Sequence, residues 1–542
     1  MMNPRFLLTS LLATAMMLWP PSAFFAQNPD FSIALEKIDV SNLPGFQSAA
    51  VAHFDNKIII LGGRTDGLHR RQPFASFLPD GNNTNLILLT PSTGAFSILP
   101  LTGLSTAQQE QLQSTNIQFC QDGPWLYLTG GYGYSATLGD HTTHPLLTVV
   151  RLDSLLWAID NNTDISPWFR SVSDPQFAVT GGQLVRQGEV FYLAGGHRFE
   201  GRYNPMNHPT FEQTYTNAIR RFTVALNDGA PSVAFLPAWT DEANLQRRDY
   251  NLAPQVFPID GHLGFTMFSG VFTPVSELPY LNSVDFDSSG YAVNNTFQHR
   301  LNQYHCAKIA LYDAPANRMH TVFLGGIAQF FFNSQGQLIQ DDNVPFVRTI
   351  GRVTRFPDGS VLEEKIGEMP GFLGAGAEFI PLGSLPLVAG ADILSADQFV
   401  GDSTLVGYLI GGIESDLPNV FFSSPETQSR AHAALYKVWY KPEQTQVGIS
   451  APPLVSPCVK AQLTPNPAQN TVRLSFTLDR PALTSILLQT PASQTIVMED
   501  MGTLAAGEHH VEFRLDNFPN GIYPVTLIAN QFVETLNLVI SR

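Results

Sequence analysis

The stretch Ile58-Ile59-Ile60-Leu61-Gly62-Gly63-Arg64 decides the fold. Aliphatic residues run up to two glycines and stop, the pattern of a buried strand that ends in a sharp turn. The pattern returns at 126–131, 190–196, 321–326 and 407–412, and in degenerate form at 265–270. The first residue of each closing pair stands at 62, 130, 195, 269, 325 and 411, so the gaps are 68, 65, 74, 56 and 86 residues. Six such units in one chain specify a repeat architecture. The repeat glycines are Gly62 with Gly63, Gly130 with Gly131, Gly195 with Gly196, Gly325 with Gly326, and Gly411 with Gly412. Lacking Cβ, they permit φ > 0 and a close approach of backbone at the strand end.

Around each pair the chain repeats one order. In the first unit a small-residue strand (47–52) precedes a turn at Asp55-Asn56 and the glycine-ended strand. A long loop, a third strand (85–90), a turn at 91–94 and a fourth strand (95–99) follow. Third and fourth strands are expected again at 146–153 and 155–160, at 218–225 and 232–236, and a strand at 433–440. The alternating segment 31–38 has no glycine pair in front of it. It is assigned to the last unit as its outer strand, which closes a ring and removes an open edge. This order resembles the kelch repeat, the four-stranded blade of a β-propeller, over residues 31–442. The resemblance implies an all-β fold, a six-bladed kelch-like β-propeller closed by the N-terminal strand. A seventh blade would have to lie in 381–404 or between 271 and 305.

Residues 443–458 shift to Pro, Gln, Ser and Val without periodicity and read as a linker. Beyond them, 459–542 alternate cleanly at 472–478, 511–515 and 535–540, which predicts a small β-sandwich. This segment resembles the type A C-terminal sorting domain of the type IX secretion system. The matching residues are Pro465-Asn466-Pro467, the turn at Gly507, the run 518–523 with Gly521 and Tyr523, and the final strand to Arg542. The resemblance implies the secretion machinery as a partner, and export across the outer membrane of a Gram-negative bacterium to the cell surface or medium. Pro524 lacks an N–H and predicts an edge position or a bend for its strand.

The start of the chain agrees with export. Arg5, an apolar run from 6 to 19 and Ala26 before Gln27 form a signal peptide, 1–26, and no later stretch reaches membrane-spanning length. A net charge of −16 argues against nucleic acid and anionic membranes as partners. With 42 Gly, 39 Pro and only 14% charged residues, the composition suits many short strands joined by turns. Cys120, Cys306 and Cys458 form no disulfide framework, and Cys120 and Cys306 read as small buried thiols. A monomer is expected.

Candidate chemistry gathers after the glycine pairs. The first such loop carries Arg64, His69, Arg70 and Arg71, and the third carries His197, Arg198, Arg202 and Tyr203. Arg247 and Arg248 precede the fourth unit, and Arg430 and His432 precede the last strand. In a chain with 30 Lys and Arg, this clustering would make one mouth of the ring electropositive, suited to carboxylates, phosphates or sugar acids. Singly, each residue reads as an ordinary surface donor. Asp140, His141 and His144 lack a further metal ligand, and adjacent His509 and His510 face opposite ways on a strand. The Tyr304-His305-Cys306 run lacks the companions of a galactose-oxidase-like copper site, so neither a metal nor a cofactor is assigned. The expected function is non-catalytic recognition of an extracellular glycan or protein. The alternative is a sugar-active kelch enzyme such as a sialic-acid mutarotase-like epimerase. A broad, shallow face would fit the binder, and a deep mouth with perturbed titratable groups would fit the enzyme.

Overall fold

The computed structural model describes residues 30–442, apart from 207, 227–229, 334 and 422–427, and 460–542, apart from 479–480, 490–494, 517 and 530–531. The expected signal peptide, 1–26, the expected linker, 443–458, and Cys458 lie outside the described residues. The chain divides into two compact units, 1–444 and 445–542.

The first unit is an all-β propeller in which six antiparallel sheets, each with four principal strands, follow in chain order. The first sheet is Ala50–Phe54, Lys57–Leu61, Asn85–Thr90 and Ala95–Pro100. The glycine-ended strand lies second in every sheet, and its residues are buried on both faces: Ile59, Ile60 and Leu61 are all 0% exposed. Burial on both faces explains why these strands are continuous apolar runs, without the alternation of a half-buried strand. Innermost strands of successive sheets lie side by side, and Asp249 N–H donates to Gly181 O at 2.7 Å between the third and fourth.

The glycine pairs hold neighbouring sheets together. The second glycine's N–H donates to a carbonyl of the next sheet's inner segment in every pair. Gly63 reaches Ser114 (2.8 Å), Gly131 reaches Val179 (2.9 Å), and Gly196 reaches Arg247 (2.6 Å). Gly326 reaches Leu373 (3.1 Å), and Gly412 reaches Phe46 (2.8 Å). At Gly62 φ is +66°, and a Cβ there would lie 2.5 Å from Ser114 O. No other residue fits that approach without displacing the next sheet. In the degenerate unit Ser269 takes φ +53°, and its Oγ donates to Asn302 O at 2.7 Å, replacing the backbone link.

Closure follows the sequence expectation. Phe31–Ile38 pairs antiparallel with Leu435–Pro442 as the outer strand of the sixth sheet. Phe31 stacks on Tyr440 at 4.7 Å, and Glu36 accepts from Lys437 (2.8 Å) and Trp439 Nε1 (2.9 Å).

Several expectations are corrected. Residues 155–160 are not a strand but part of the α-helix Leu152–Asp160, and the fourth strand of that sheet is Phe169–Ser173. The apolar positions 152, 155, 156 and 159 recur with helical spacing, and Leu152, Leu155 and Leu156 are buried. The stretch 271–305 supplies Ser283–Phe286 and Tyr291–Asn294 to the fourth sheet, and 381–404 adds Leu394–Ser395 to the fifth. Cys306 is buried, but Cys120 is half-buried.

The second unit stacks a three-stranded and a four-stranded antiparallel sheet around one core. Thr471–Leu478 alternates exposed and buried at every residue. Pro524 does not make its strand an edge: Gly521–Ala529 pairs on both sides. Pairing on one side ends at Leu488↔Val525, so the proline sits one residue past it, where no N–H is required. Asn466 clamps the last strand, donating to Asn537 O and accepting from Val539 N, each at 2.8 Å. Tyr523 Oη donates to Pro519 O at 2.9 Å.

Candidate functional site

A cavity of about 300 Å³ opens at the mouth of the ring, on the side of the post-glycine loops. Its walls come from elements that the glycine turns aim inward. In the second sheet Trp125–Ser135 continues past its glycines to Tyr132 and pairs with Asp140–Thr143. That hairpin meets His197–Gly201, which pairs with Phe211–Tyr215, so a ribbon of strands stands over the mouth. The ribbon carries Tyr132, His197 and Phe199 into the wall, and Tyr203 follows just beyond its third strand.

The wall is largely aromatic. Phe77 stacks on His69 (5.1 Å) and meets Tyr132 edge-on (5.4 Å); Phe199 packs on Tyr132 (5.4 Å) and Tyr203 (4.8 Å). Tyr132 Oη donates to Gly201 O and accepts from Tyr203 N, both at 2.8 Å, which fixes the cluster. Phe272, Tyr304, Ile327, Ile413 and Phe421 close the opposite side.

Below the aromatic wall lies a ring of six residues, one per sheet, at the start of each inner strand. They are Ser48, Asn116, Gly181, Asp249, His305 and Gly376, with φ of 53°, 51°, 64°, 53°, 52° and 68°. All six line a small inner cavity of about 40 Å³ on the axis. Ser48, Asn116, Asp249 and His305 also face the mouth cavity and so form its floor. Four non-glycine residues held in the left-handed region represent strain that the surrounding sheets must offset.

The charges of the floor are specific. Arg248 Nη1 pairs with Asp249 Oδ2 at 3.0 Å, its guanidinium lies 5.2 Å from the Phe272 ring, and its Nε is buried without a partner. Burial alone would depress the Arg248 pKa, but Asp249 and nearby tyrosines hold it above the usual arginine range. Burial pulls the His305 imidazole below its usual pKa; Arg248 and Lys308 act the same way and Asp249 opposes them. Burial likewise takes His69 down to about 4 and His197 well below 6.5.

Of the nominated side chains, Arg64, His69, Arg71 and His197 line the cavity. Arg64 serves its own loop, donating to both Asp66 oxygens (2.7 and 2.5 Å) and to Asn82 Oδ1 (2.9 Å). Arg198 follows His197 on one strand, so it points the other way and pairs with Glu200. Arg202 donates to Phe74 O at 3.0 Å, and Arg430 is held by Glu414 (2.5 Å) and Asp416 (3.0 Å). His432 stacks on Tyr436 and sits 3.1 Å from Glu414. Arg70, Arg198, Arg202, Arg430 and His432 therefore lie outside the cavity. Arg247 is fully buried and holds backbone carbonyls. The repeat glycines, Gly196 and Gly326 included, also lie outside the cavity; they seat one sheet on the next and contribute nothing to its lining.

The floor residues were missed. A positional signal existed: Ser48, Asn116 and Gly181 each stand 14 residues before the first residue of their closing pair, and Asp249 and His305 each stand 20 before theirs, which is Ser269 for Asp249. Among the described residues no cluster of three His, Cys, Asp or Glu side chains is placed to hold a metal, and no helix is long and apolar enough to cross a membrane.

Fold and site together define an all-β propeller with an aromatic-walled, charged-floor mouth. No protein-family model and no curated protein matches the chain. Among solved structures it is similar to YjhT, with 11% identity, coverage of 73% of this chain and 97% of that one, and a TM-score of 0.40. It is also similar to the subtype N11 neuraminidase-like protein of A/flat-faced bat/Peru/033/2010 (H18N11): 7% identity, 76% and 95% coverage, TM-score 0.33. A third is PorZ of Porphyromonas gingivalis, described as a surface component of the type IX secretion system: 10% identity, 91% and 75% coverage, TM-score 0.15. At these values none of them assigns an activity to this chain.

Proposed function

We propose that this chain is an exported kelch-type propeller that recognises a compact, ring-bearing end group of an extracellular glycan in its mouth cavity. The observation that carries the proposal is the cavity itself, about 300 Å³ with flat aromatic faces above a charged, hydrogen-bonding floor. Aromatic faces cover the apolar side of a sugar ring, and the few polar groups at the floor fix its orientation. Arg71 and Arg248, both lining the cavity, favour an end group bearing a carboxylate. Export rests on the signal-like segment 1–26 and on the sorting-domain resemblance of 459–542, which put the mature protein on the cell surface or in the medium. The type IX machinery would be its partner in transit.

A second reading, a sugar-active enzyme, is favoured by the perturbed histidines of the cavity. The test is a glycan array with the full-length protein, set beside Tyr203→Ala, Arg248→Gln and Arg430→Ala. Acid-bearing glycans are expected to bind, with affinity falling about tenfold or more in the first two variants. Arg430→Ala, outside the cavity, should bind normally. Binding that survives both cavity substitutions would remove the mouth as the ligand site.

A further inference from the structure

We propose that Ser48, His305 and Asp249 form a nucleophile, base and positioning residue on the cavity floor, so that this propeller hydrolyses a carboxylic ester of the compact ligand held above them. The proposal rests on the mouth cavity being the ligand site, and adds a reaction to it.

Three sheets bring these side chains together. Ser48 Oγ lies 3.0 Å from His305 Nε2, although the two are 257 positions apart. The other ring nitrogen, Nδ1, faces Asp249 Oδ1 at 3.8 Å. The remaining Asp249 oxygen is held by Arg248 at 3.0 Å, which fixes the carboxylate toward the imidazole. A serine, a histidine at one ring nitrogen and a carboxylate at the other is the arrangement that activates a hydroxyl, and such contacts shorten when substrate is bound.

Three further observations point the same way. All three residues take left-handed φ, 53°, 52° and 53°, a conformation that costs on the order of 1 kcal/mol or more per non-glycine residue and clusters at functional sites. Only a glycine permits the close packing around the pair: a Cβ on Gly376 would fall 2.6 Å from Ser48 Oγ and 3.2 Å from His305 Nε2, and Ser48 N–H donates to Gly376 O at 2.8 Å. The trio is sheltered: Ser48 is 8% exposed, and the side chains of His305 and Asp249 are 21% and 16% exposed. Its surroundings suit a base, because burial, Arg248 and Lys308 together favour the neutral imidazole at neutral pH against the pull of Asp249.

The Ser48 hydroxyl donates to Gln47 Oε1 at 2.6 Å and lies 3.0 Å from His305 Nε2, which is a second acceptor when the ring proton is on Nδ1. Rotation of the hydroxyl alone delivers its proton to His305. Oγ then bonds to the ester carbonyl carbon as Nε2 takes that proton. The carbon–oxygen bond to the alcohol breaks, and the alcohol leaves with the proton from Nε2. Water attacks the acyl-serine and gives a proton to Nε2; the carboxylic acid departs and Oγ regains the proton. Ester and water become acid and alcohol, with no other reactant.

The test uses the full-length protein with a fluorophosphonate probe, mapped by mass spectrometry, and with p-nitrophenyl acetate. Labelling at Ser48 and hydrolysis are expected, both abolished in Ser48→Ala and reduced about 100-fold or more in His305→Gln. In Asp249→Asn the acid limb of the pH–rate profile should shift, which a merely structural loss would not do. Gly376→Ala, whose Cβ would fall 2.6 Å from Ser48 Oγ, should displace that hydroxyl and lower labelling. A folded protein that is not labelled at Ser48, or hydrolysis that survives Ser48→Ala, would overturn the proposal. Glycan binding by the wild-type protein keeps the two ideas separate. Binding retained without labelling in the wild type removes the reaction only, and labelling without glycan binding removes the glycan reading only.

Discussion

Replacing Arg247 by Met tests whether a buried cation in this propeller is structural. Arg247 is 0% exposed, and its donors reach Asn244 O (2.7 Å), Ser269 O (3.0 Å), Asn282 O (3.1 Å) and Asn282 Oδ1 (2.5 Å). The guanidinium also lies 4.0 Å from the centre of the Tyr280 ring. Methionine keeps the apolar stem and leaves three backbone carbonyls without donors, at roughly 1–3 kcal/mol each. Against this stands the relief of burying a cation, which depresses its pKa from 12.5 to about 10 and corresponds to about 3 kcal/mol. At the middle of that range the net expected loss is about 3 kcal/mol. Urea unfolding at neutral pH, followed by near-ultraviolet circular dichroism, measures it. Arg198→Ala is the reference, since that side chain is exposed and paired at the surface, where a loss of no more than about 1 kcal/mol is expected. If Arg247→Met unfolds at the same urea concentration as Arg198→Ala, the carbonyl-anchoring account is wrong.

Other outcomes follow from the same structure. Gly62→Ala should cost about 3 kcal/mol or more, against about 1 kcal/mol for Gly139→Ala, because both have positive φ but only Gly62 faces a carbonyl at 2.5 Å. Equal thermal shifts would refute the sheet-seating role of the glycine pairs. Removing residues 30–38 exposes the edge Leu435–Pro442, and size-exclusion chromatography should show self-association; a clean monomer would contradict the closure argument. His144 is buried, and burial holds its pKa at about 4, with Glu110 opposing. The unfolded chain therefore takes up a proton below pH 6.5 that the fold refuses until about 4, so stability is full above 6.5 and declines as pH falls through that window. His144→Phe should flatten the decline by up to about 1 kcal/mol per pH unit, and an unchanged slope would assign it to other groups. Asn466→Ala, which frees Val539 N and Asn537 O, should lower the unfolding temperature of the second unit and leave the first unchanged by differential scanning calorimetry.

Much of the fold was legible because its signals are local. A run of aliphatics before two glycines, or the alternation of 31–38 and 472–478, is written within a single strand and repeats down the chain. The errors share the opposite character. The repeat order predicts a strand at 155–160, but the apolar spacing there is helical and a helix forms. Pro524 pointed to an edge because sequence cannot show where a neighbouring strand stops. Basic residues after the glycine pairs were visible, but their directions were not: His197 faces the cavity and Arg198 its neighbour Glu200, one residue apart.

By itself, the sequence determined the strand grammar, the six glycine-ended units and the unpaired N-terminal strand, since backbone conformation at those points depends on residues within a few positions. Only the tertiary structure decided the site. Ser48, Asp249 and His305 belong to three different sheets, and what brings them within 4 Å is the ring closure that sets all inner strands around one axis. Their left-handed φ values and the close packing of Gly376 against them arise from that crowding, which no local pattern encodes.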